Sequence, residues 1–265
     1  MLCAVLVWPA QAQSTEPASP PQTAAFTLDI HAPEATTELL QRHLQLLRYK
    51  ALNDLDAMEL QRLLSAADLQ ARELLATQGY FSPRLNWQTE TATDSGPRWS
   101  IRLQVEPGPQ ARIAQVRWIF QGHLQDDPKH SGQRQALEKQ WLLSAGKGFT
   151  QEAWNDAKAA ALRQLTSEHY PLGRWVHTEA RVDPDQHSVV LDLTLDSGPE
   201  VFLGPAMVSG QERYSLEQAL RLANVPIGRS YRQSDLLEVQ QRLVLSGFYD
   251  AVFVSLDTDG PPEAM

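Results

Sequence analysis

A short phrase at the end of a leucine-rich helical pattern occurs three times in this 265-residue chain. It reads LLATQGYF at 74–81 and LVLSGFY at 243–249, and a more divergent copy, LTSEHY, lies at 165–170. Tyr80 and Tyr170 are 90 positions apart. This recurrence is the first indication of a tandem repeat, and a repeat restricts the fold to copies of one small unit.

A Gly-Pro turn keeps the same spacing. EPGP at 106–109 returns as DSGP at 196–199, so Gly108 and Gly198 are also 90 positions apart. Two unrelated landmarks that share one spacing predict tandem copies of a single domain. A unit of about 80–90 residues buries only a modest core, and repeats of this kind build extended binding surfaces more often than active sites.

The first two copies share an order of strands and helices. In the first copy, a strand at 26–30 precedes two leucine-rich helices, the second of which ends at Gly79 because glycine readily adopts the left-handed conformation. Two strands at 84–90 and 99–105 then close the unit. In the second copy, a first helix is expected at 133–143, and Thr150 is expected to cap the second helix. The opening strand of that copy should have one apolar face, formed by Ala114, Val116, Trp118 and Phe120.

The third copy stops short of this pattern. It starts at Val201, has a first helix capped by Ser215, and reaches its penultimate strand at 251–256. The other two copies predict one more strand after that point, so we expect an incomplete third unit. The expected domains are 25–107, 109–198 and an incomplete 199–265.

The N-terminus has the character of an export signal. Residues 1–12 are apolar and end in Ala-x-Ala, which predicts a secretory signal cleaved after Ala12, followed by a flexible lead-in at 13–24. A buried N-terminal strand is the alternative. Cys3 is the only cysteine and would leave with the signal, so no disulfide or thiolate metal site is expected.

Charge and motifs narrow the functional classes. A net charge of -9 and a pI near 5.3 argue against nucleic acid as a partner.

His123 and His130 flank an acidic pair, but the spacing fits a solvated loop better than a metal site. His177 and Glu179 fit a polar sheet surface that they share with Trp175. We therefore expect no enzyme, no cofactor and no metal.

The order β-α-α-β-β, the Gly-Tyr or Gly-Phe step and the Gly-Pro turn between copies resemble POTRA domains. These are periplasmic modules that precede outer-membrane β-barrels. With Phe149, Trp154 and Lys158 in the second copy, the chain is most similar to the TamA branch, and the resemblance covers about residues 25–265. It implies an α+β fold in which each copy has a three-stranded mixed sheet packed on two helices, with the last strand at the centre beside the first. The third domain would lack this strand and be loosely folded unless another chain supplied it.

The resemblance also implies partners. They are unfolded outer-membrane or autotransporter substrates, an inner-membrane-anchored partner subunit of the translocation and assembly module, and the outer membrane, reached through a barrel outside this chain. The protein would then be an exported scaffold at the periplasmic face of the outer membrane. The main barrel-assembly insertase and two-partner secretion transporters are alternatives, although they typically carry five and two such domains. A secreted hydrolase with a cryptic site is a third alternative.

In POTRA domains the penultimate strands are free sheet edges, and an open edge can pair with a peptide strand. The segments 84–90 and 175–182 are therefore candidate binding edges. An edge merely protected by its charged residues remains an equally good interpretation. The candidate residues are Arg84, Leu85, Trp87, Trp175, His177, Glu179 and Arg181.

Overall fold

The computed structural model describes five stretches of the chain, namely 24–52, 55–91, 97–126, 128–210 and 213–257. The expected signal sequence and nearly all of the lead-in lie outside the described residues. The described residues form two compact units. The first consists of the residues up to Ala71 together with Leu85–Glu106, and the second consists of Arg72–Arg84 together with the residues from Pro107 onwards.

The first repeat contains a three-stranded mixed sheet and two α-helices. Its elements are β1 (Phe26–His31), α1 (Glu34–His43), a 3-10 helix (Gln45–Ala51), α2 (Ala57–Thr77), β2 (Arg84–Thr91) and β3 (Trp99–Glu106). The strand order is β1-β3-β2, and β1 runs parallel to β3. The core lies on one face of β3, where Ile101, Leu103 and Val105 are buried and alternate with exposed residues.

The second repeat has the same topology. Its elements are β4 (Arg112–Gln121), α3 (His123–Asp126), a 3-10 turn (Pro128–His130), α4 (Ser131–Lys139), α5 (Gln151–Thr166), β5 (Arg174–Asp183) and β6 (Ser188–Asp196). The strand order is β4-β6-β5, with β4 parallel and β5 antiparallel to the central β6. Two three-stranded mixed sheets with helices confirm the expected α+β class and the central position of each last strand.

The core of the second repeat follows the sequence pattern closely. Alternate residues of β6 are fully buried and pack against one face of α5. The buried residues on that face of the helix are Trp154, Ala157, Ala161 and Leu165. The side chain of Thr150 accepts a hydrogen bond from the amide of Ala153 at 3.1 Å, which confirms the expected helix cap. This cap stabilises the start of α5.

Two expectations for the second repeat are wrong in detail. The helix expected at 133–143 ends at Lys139, because Trp141 and Leu143 both enter the core and residues two apart cannot share one helical face. In β4, the register with β6 shifts between Ile113 and Gln115. This bulge buries Ile113 and exposes Ala114, so Ala114 does not belong to the apolar face.

The described part of the third repeat is mainly helical. It contains α6 (Leu216–Ala223) and α7 (Gln233–Leu245), and Ser215 forms a reciprocal capping box with Gln218 as expected. The strand expected at 251–256 is not formed, because a strand exists through pairing and none of the described residues pairs with this segment. No helix within the described stretches is long and apolar enough to cross a membrane.

Candidate partner-binding edges

Both candidate segments are edge strands. β2 lies at one end of the first sheet, and β5 lies at one end of the second sheet. Each strand is paired on one side only among the described residues, so alternate N–H and C=O groups along its outer side face away from the sheet. An edge of this kind can accept an added strand.

A bulge determines which side chains β5 shows on each face. Trp175 pairs with Leu195, whereas His177 pairs with Thr194, so Val176 is an extra residue in β5. Trp175 consequently lies on the helix-covered face, and His177 lies on the open face. The expectation that these two residues share a face is therefore wrong.

Beyond the bulge, β5 alternates regularly. His177, Glu179 and Arg181 are exposed, whereas Thr178 and Ala180 are half-buried beneath the helix layer. An added strand would therefore meet a polar row on one face and a partly apolar row on the other.

Trp175 anchors β5 to the helices. Its indole nitrogen donates to the carbonyl oxygen of Lys158 in α5 at 3.2 Å. Its ring lies 5.9 Å from the ring of Trp118 and 6.4 Å from the ring of Trp141, measured between centroids. Trp175 therefore holds the edge strand in place, and only part of its ring remains exposed for contact with a partner.

The open face of the second sheet carries a line of opposite charges. Asp192 on the central strand β6 contacts Arg181 on β5, and its other carboxylate oxygen lies 3.6 Å from Arg117 on β4. His177 and Glu179 are 3.6 Å apart along β5. Because Asp192 lies between two guanidinium groups on the outer strands, it restrains the side chains of both sheet edges.

The β2 edge has a similar anchor. The indole nitrogen of Trp87 donates to the carboxylate of Asp68 in α2 at 3.0 Å. Leu85, two residues earlier, is half-buried on the same face, whereas Arg84 is exposed. On both edge strands a tryptophan packs towards the helices, and the strand's outer backbone is left to pair.

The described histidine side chains do not gather into a metal site. Within the stretches that the structure describes, no group of three or more His, Cys, Asp or Glu side chains could hold a metal ion. The predicted loop around His123 and His130 includes Asp127, which lies outside the described residues. His177 and Glu179 lie 3.6 Å apart on an exposed, polar sheet surface instead.

The sequence interpretation missed a hydrogen-bonded contact at the end of α2 and another at the end of α5, and we call each of them a clasp. In the first clasp, the carbonyl of Gly79 accepts from the amide of Ala111 at 2.9 Å, and the carbonyl of Ala111 accepts from Phe149 at 2.9 Å. Ile113 continues the ladder with the loop before α5, donating to Lys147 at 2.8 Å. The clasp thus joins the helix end, the following strand and the inter-helix loop.

The second clasp repeats this pattern. The carbonyl of His169 accepts from Val201 at 2.9 Å, and the carbonyl of Val201 accepts from Tyr231 at 2.8 Å. Leu203 then donates to Arg229 at 2.9 Å. Burial in this clasp raises the pKa of the Tyr231 phenol above its ordinary value, because the charged phenolate would lose solvation.

The residue at the helix end has a positive φ in all three copies. The angle is 84° at Gly79, 64° at His169 and 69° at Gly247. At Gly79 a Cβ atom would lie 2.2 Å from the carbonyl oxygen of Phe149, so glycine is required there by space as well as by conformation. The recurring phrase in the sequence was the signal for this contact, although it did not reveal the partner segment.

The class of protein defined by this geometry is a tandem α+β repeat with open sheet edges and clasped helix ends. No family model and no curated protein matches the chain. Among solved structures, it is similar to BamA POTRA3-5 of Haemophilus influenzae, with 15% identity, 87% of this chain and 88% of that chain covered, and a TM-score of 0.45.

Two other solved structures are similar at lower scores. The N-terminal domain of Omp85 from Thermosynechococcus elongatus has 17% identity over 89% of this chain and 90% of that chain, with a TM-score of 0.34. CdiB from Escherichia coli has 14% identity over 71% of this chain and 29% of that chain, with a TM-score of 0.30. At such scores the fold assignment rests on strand order and hydrogen bonding within this chain.

Proposed function

We propose that this protein is a non-enzymatic scaffold that binds extended polypeptide segments by adding them to the outer edge of β5. The observation that carries this proposal is the position of β5 at the end of the β4-β6-β5 sheet, with its outer side unpaired among the described residues. Backbone pairing would give affinity, and the polar row at His177, Glu179 and Arg181 would influence which strand is accepted.

The more specific role is a POTRA array of an outer-membrane assembly protein. In this role the expected domains 25–107, 109–198 and 199–265 are POTRA-like modules at the periplasmic face of the outer membrane. Unfolded outer-membrane or autotransporter chains are the proposed substrates, and an inner-membrane-anchored subunit is the proposed docking partner. The sequence resemblance to the TamA branch supports this role, and the topology of the two sheets is consistent with it. β2, with Arg84, Leu85 and Trp87, is proposed as a second edge of the same kind.

A pair of proline variants tests the β5 edge. Successive amides of a strand alternate between its two sides, so one of Glu179→Pro and Ala180→Pro removes a bond to β6 and the other removes an outward-facing donor. We expect the variant that loses a bond to β6 to have a lower melting temperature. The variant that loses an outward-facing donor should keep a melting temperature close to that of the parent chain.

The binding probe is a synthetic peptide of about nine alternating valine and threonine residues, a length typical of strands. NMR of the full chain should show saturable shifts confined to β5 and its neighbours, and the well-folded proline variant should lose them. A peptide N-methylated at alternate positions is the matched control and should not bind. Unchanged binding to that proline variant, or shifts that avoid β5, would contradict edge addition.

A further inference from the structure

Three polar side chains meet at the second clasp. The Nδ1 atom of His169, at the end of α5, lies 2.7 Å from the hydroxyl oxygen of Ser230. The same hydroxyl oxygen lies 2.7 Å from a carboxylate oxygen of Glu200, and it donates its hydrogen to that oxygen. The three residues come from three separate segments, which are the end of α5, the chain after β6 and the loop before α7.

The single hydrogen of the Ser230 hydroxyl determines that the Nδ1 atom of His169 carries a hydrogen. A hydroxyl group has one hydrogen, and here Ser230 gives it to the Glu200 carboxylate. Only lone pairs of Ser230 then face His169, so the Nδ1 atom must carry a hydrogen to complete the contact. The neutral ring can do this only as its Nδ1–H tautomer, whereas the protonated ring always does it.

The surrounding charges also favour the protonated ring. The Glu200 carboxylate lies 3.7 Å from the Nδ1 atom, and both side chains are largely buried. Glu168 precedes His169 in the chain and is bridged through its backbone to Arg232. Lys129 lines a cavity together with His169 and opposes this effect. At 3.7 Å, the Glu200 carboxylate attracts the positive charge of the protonated ring.

The same residue also holds the clasp through its backbone. The amide of His169 donates to the carbonyl of Tyr231 at 2.8 Å, and its carbonyl accepts from Val201 at 2.9 Å. Its side chain and its main chain therefore bind the same two neighbouring segments. We infer that His169, Ser230 and Glu200 form a proton-dependent latch, in which protonation of His169 tightens the second clasp.

The chain contains its own control for this latch. The first clasp has Gly79 at the position of His169, and glycine offers no side chain to titrate. Both clasps have the bond from the next strand to the helix end, from Ala111 to Gly79 in the first and from Val201 to His169 in the second. They differ at the helix-end amide, which donates to Ala76 in the first clasp and to Tyr231 in the second. A change of pH near neutrality should therefore act on the second clasp and leave the first clasp unchanged.

Amide hydrogen exchange in the full chain measures this difference. The amides of Val201 and Tyr231 report on the second clasp, and those of Ala111 and Phe149 report on the first. After correction for intrinsic exchange rates, we expect the opening constant of the second clasp to rise about fivefold between pH 5.5 and 8, the range in which histidine titrates. An equal response at both clasps would overturn the latch.

Two variants and one spectroscopic measurement complete the test. His169→Asn keeps a residue that tolerates positive φ and removes the titration, and Glu200→Gln leaves the backbone at 169 unaltered. Each should abolish the pH response of the second clasp, and a response that persists in both would refute the proposal. Imidazole nitrogen shifts at pH 8 should show the Nδ1–H tautomer; a dominant Nε2–H tautomer would also refute it.

Discussion

The amide of Val201 donates to the carbonyl oxygen of His169 over 2.9 Å, and Ala111 donates to Gly79 over the same distance. Donor and acceptor are each displaced by 90 positions between the two contacts. The repeating unit of this chain therefore includes the hydrogen bonds that attach the end of a second helix to the next strand. The contact belongs to the repeat as much as the sheets do.

Gly79→Ala should be the most damaging glycine substitution in the first clasp. The new Cβ would meet the Phe149 carbonyl at 2.2 Å, and the backbone would also bear the cost of a positive φ. We expect a loss of at least about 2 kcal/mol in the free energy of unfolding, of which about 1–2 kcal/mol is the conformational cost. Urea denaturation followed by circular dichroism measures it.

Two other glycines separate these costs. Gly146 has a φ of 86° and nothing within 4 Å of its Cβ position, so Gly146→Ala should show the conformational cost alone. Gly132 lies in α4 with equally open space, so Gly132→Ala should be neutral or slightly stabilising, because alanine has the higher helix propensity. Equal losses at Gly79 and Gly146 would show that the close approach to Phe149 relaxes freely.

The chain should lose stability in alkali through Tyr231. Burial raises the pKa of this phenol above its unfolded value, so the folded state retains its proton where the unfolded state has lost it. The stabilisation is fully present below about pH 10, the unfolded value, and is lost as pH rises through the folded value. Thermal melts between pH 8 and 11 should show a smaller decline in Tyr231→Phe than in the parent chain. An identical decline in both would rule out this contribution.

Asp192→Asn should weaken the open face of the second sheet in a salt-dependent manner. Asp192 is 21% exposed and contacts two arginines that are about half exposed, so we expect a loss of about 1 kcal/mol at low salt. The loss should shrink in 1 M salt because exposed charges are screened. Glu217→Gln is the control, since the Glu217–Arg221 pair is almost fully exposed and should contribute little. A salt-independent loss at Asp192 would indicate a packing role.

Hydrogen exchange should separate the second and third repeats. The central strand β6 is paired on both sides, so its amides should be strongly protected. Residues 251–257 form no strand among the described residues and should exchange much faster. Val201 and Leu203 should lie between these extremes because their amides are held in the second clasp. Strong protection across 251–256 in the monomer would show that this segment is paired after all.

Much of the fold could be predicted from the sequence because period and capping are local properties. The alternation of β6, the cap at Thr150 and the capping box at Ser215 all depend on residues within a few positions of each other. The two bulges, at Ala114 and Val176, could not be predicted this way. A bulge depends on the register with a strand far along the chain, and one extra residue reverses the alternation beyond it.

The candidate site was predictable in part for the same reason. The edge position of β5 follows from the order of the strands, whereas the inward direction of Trp175 follows from the bulge beside it. The clasp required a contact between residues 32 positions apart, Gly79 and Ala111. No local pattern specifies such a pair, although the positive φ of Gly79 was implied by the glycine itself.

The extra residue at Val176 also limits the length over which another strand can pair with β5 in uninterrupted register. Strand geometry is disturbed at a bulge, so regular pairing can run only along 177–183. At about 3.3 Å per residue this stretch measures roughly 23 Å. An incoming segment would therefore pair regularly with β5 only over that short span. The remainder of a longer chain would stay outside the sheet and could contact a second surface.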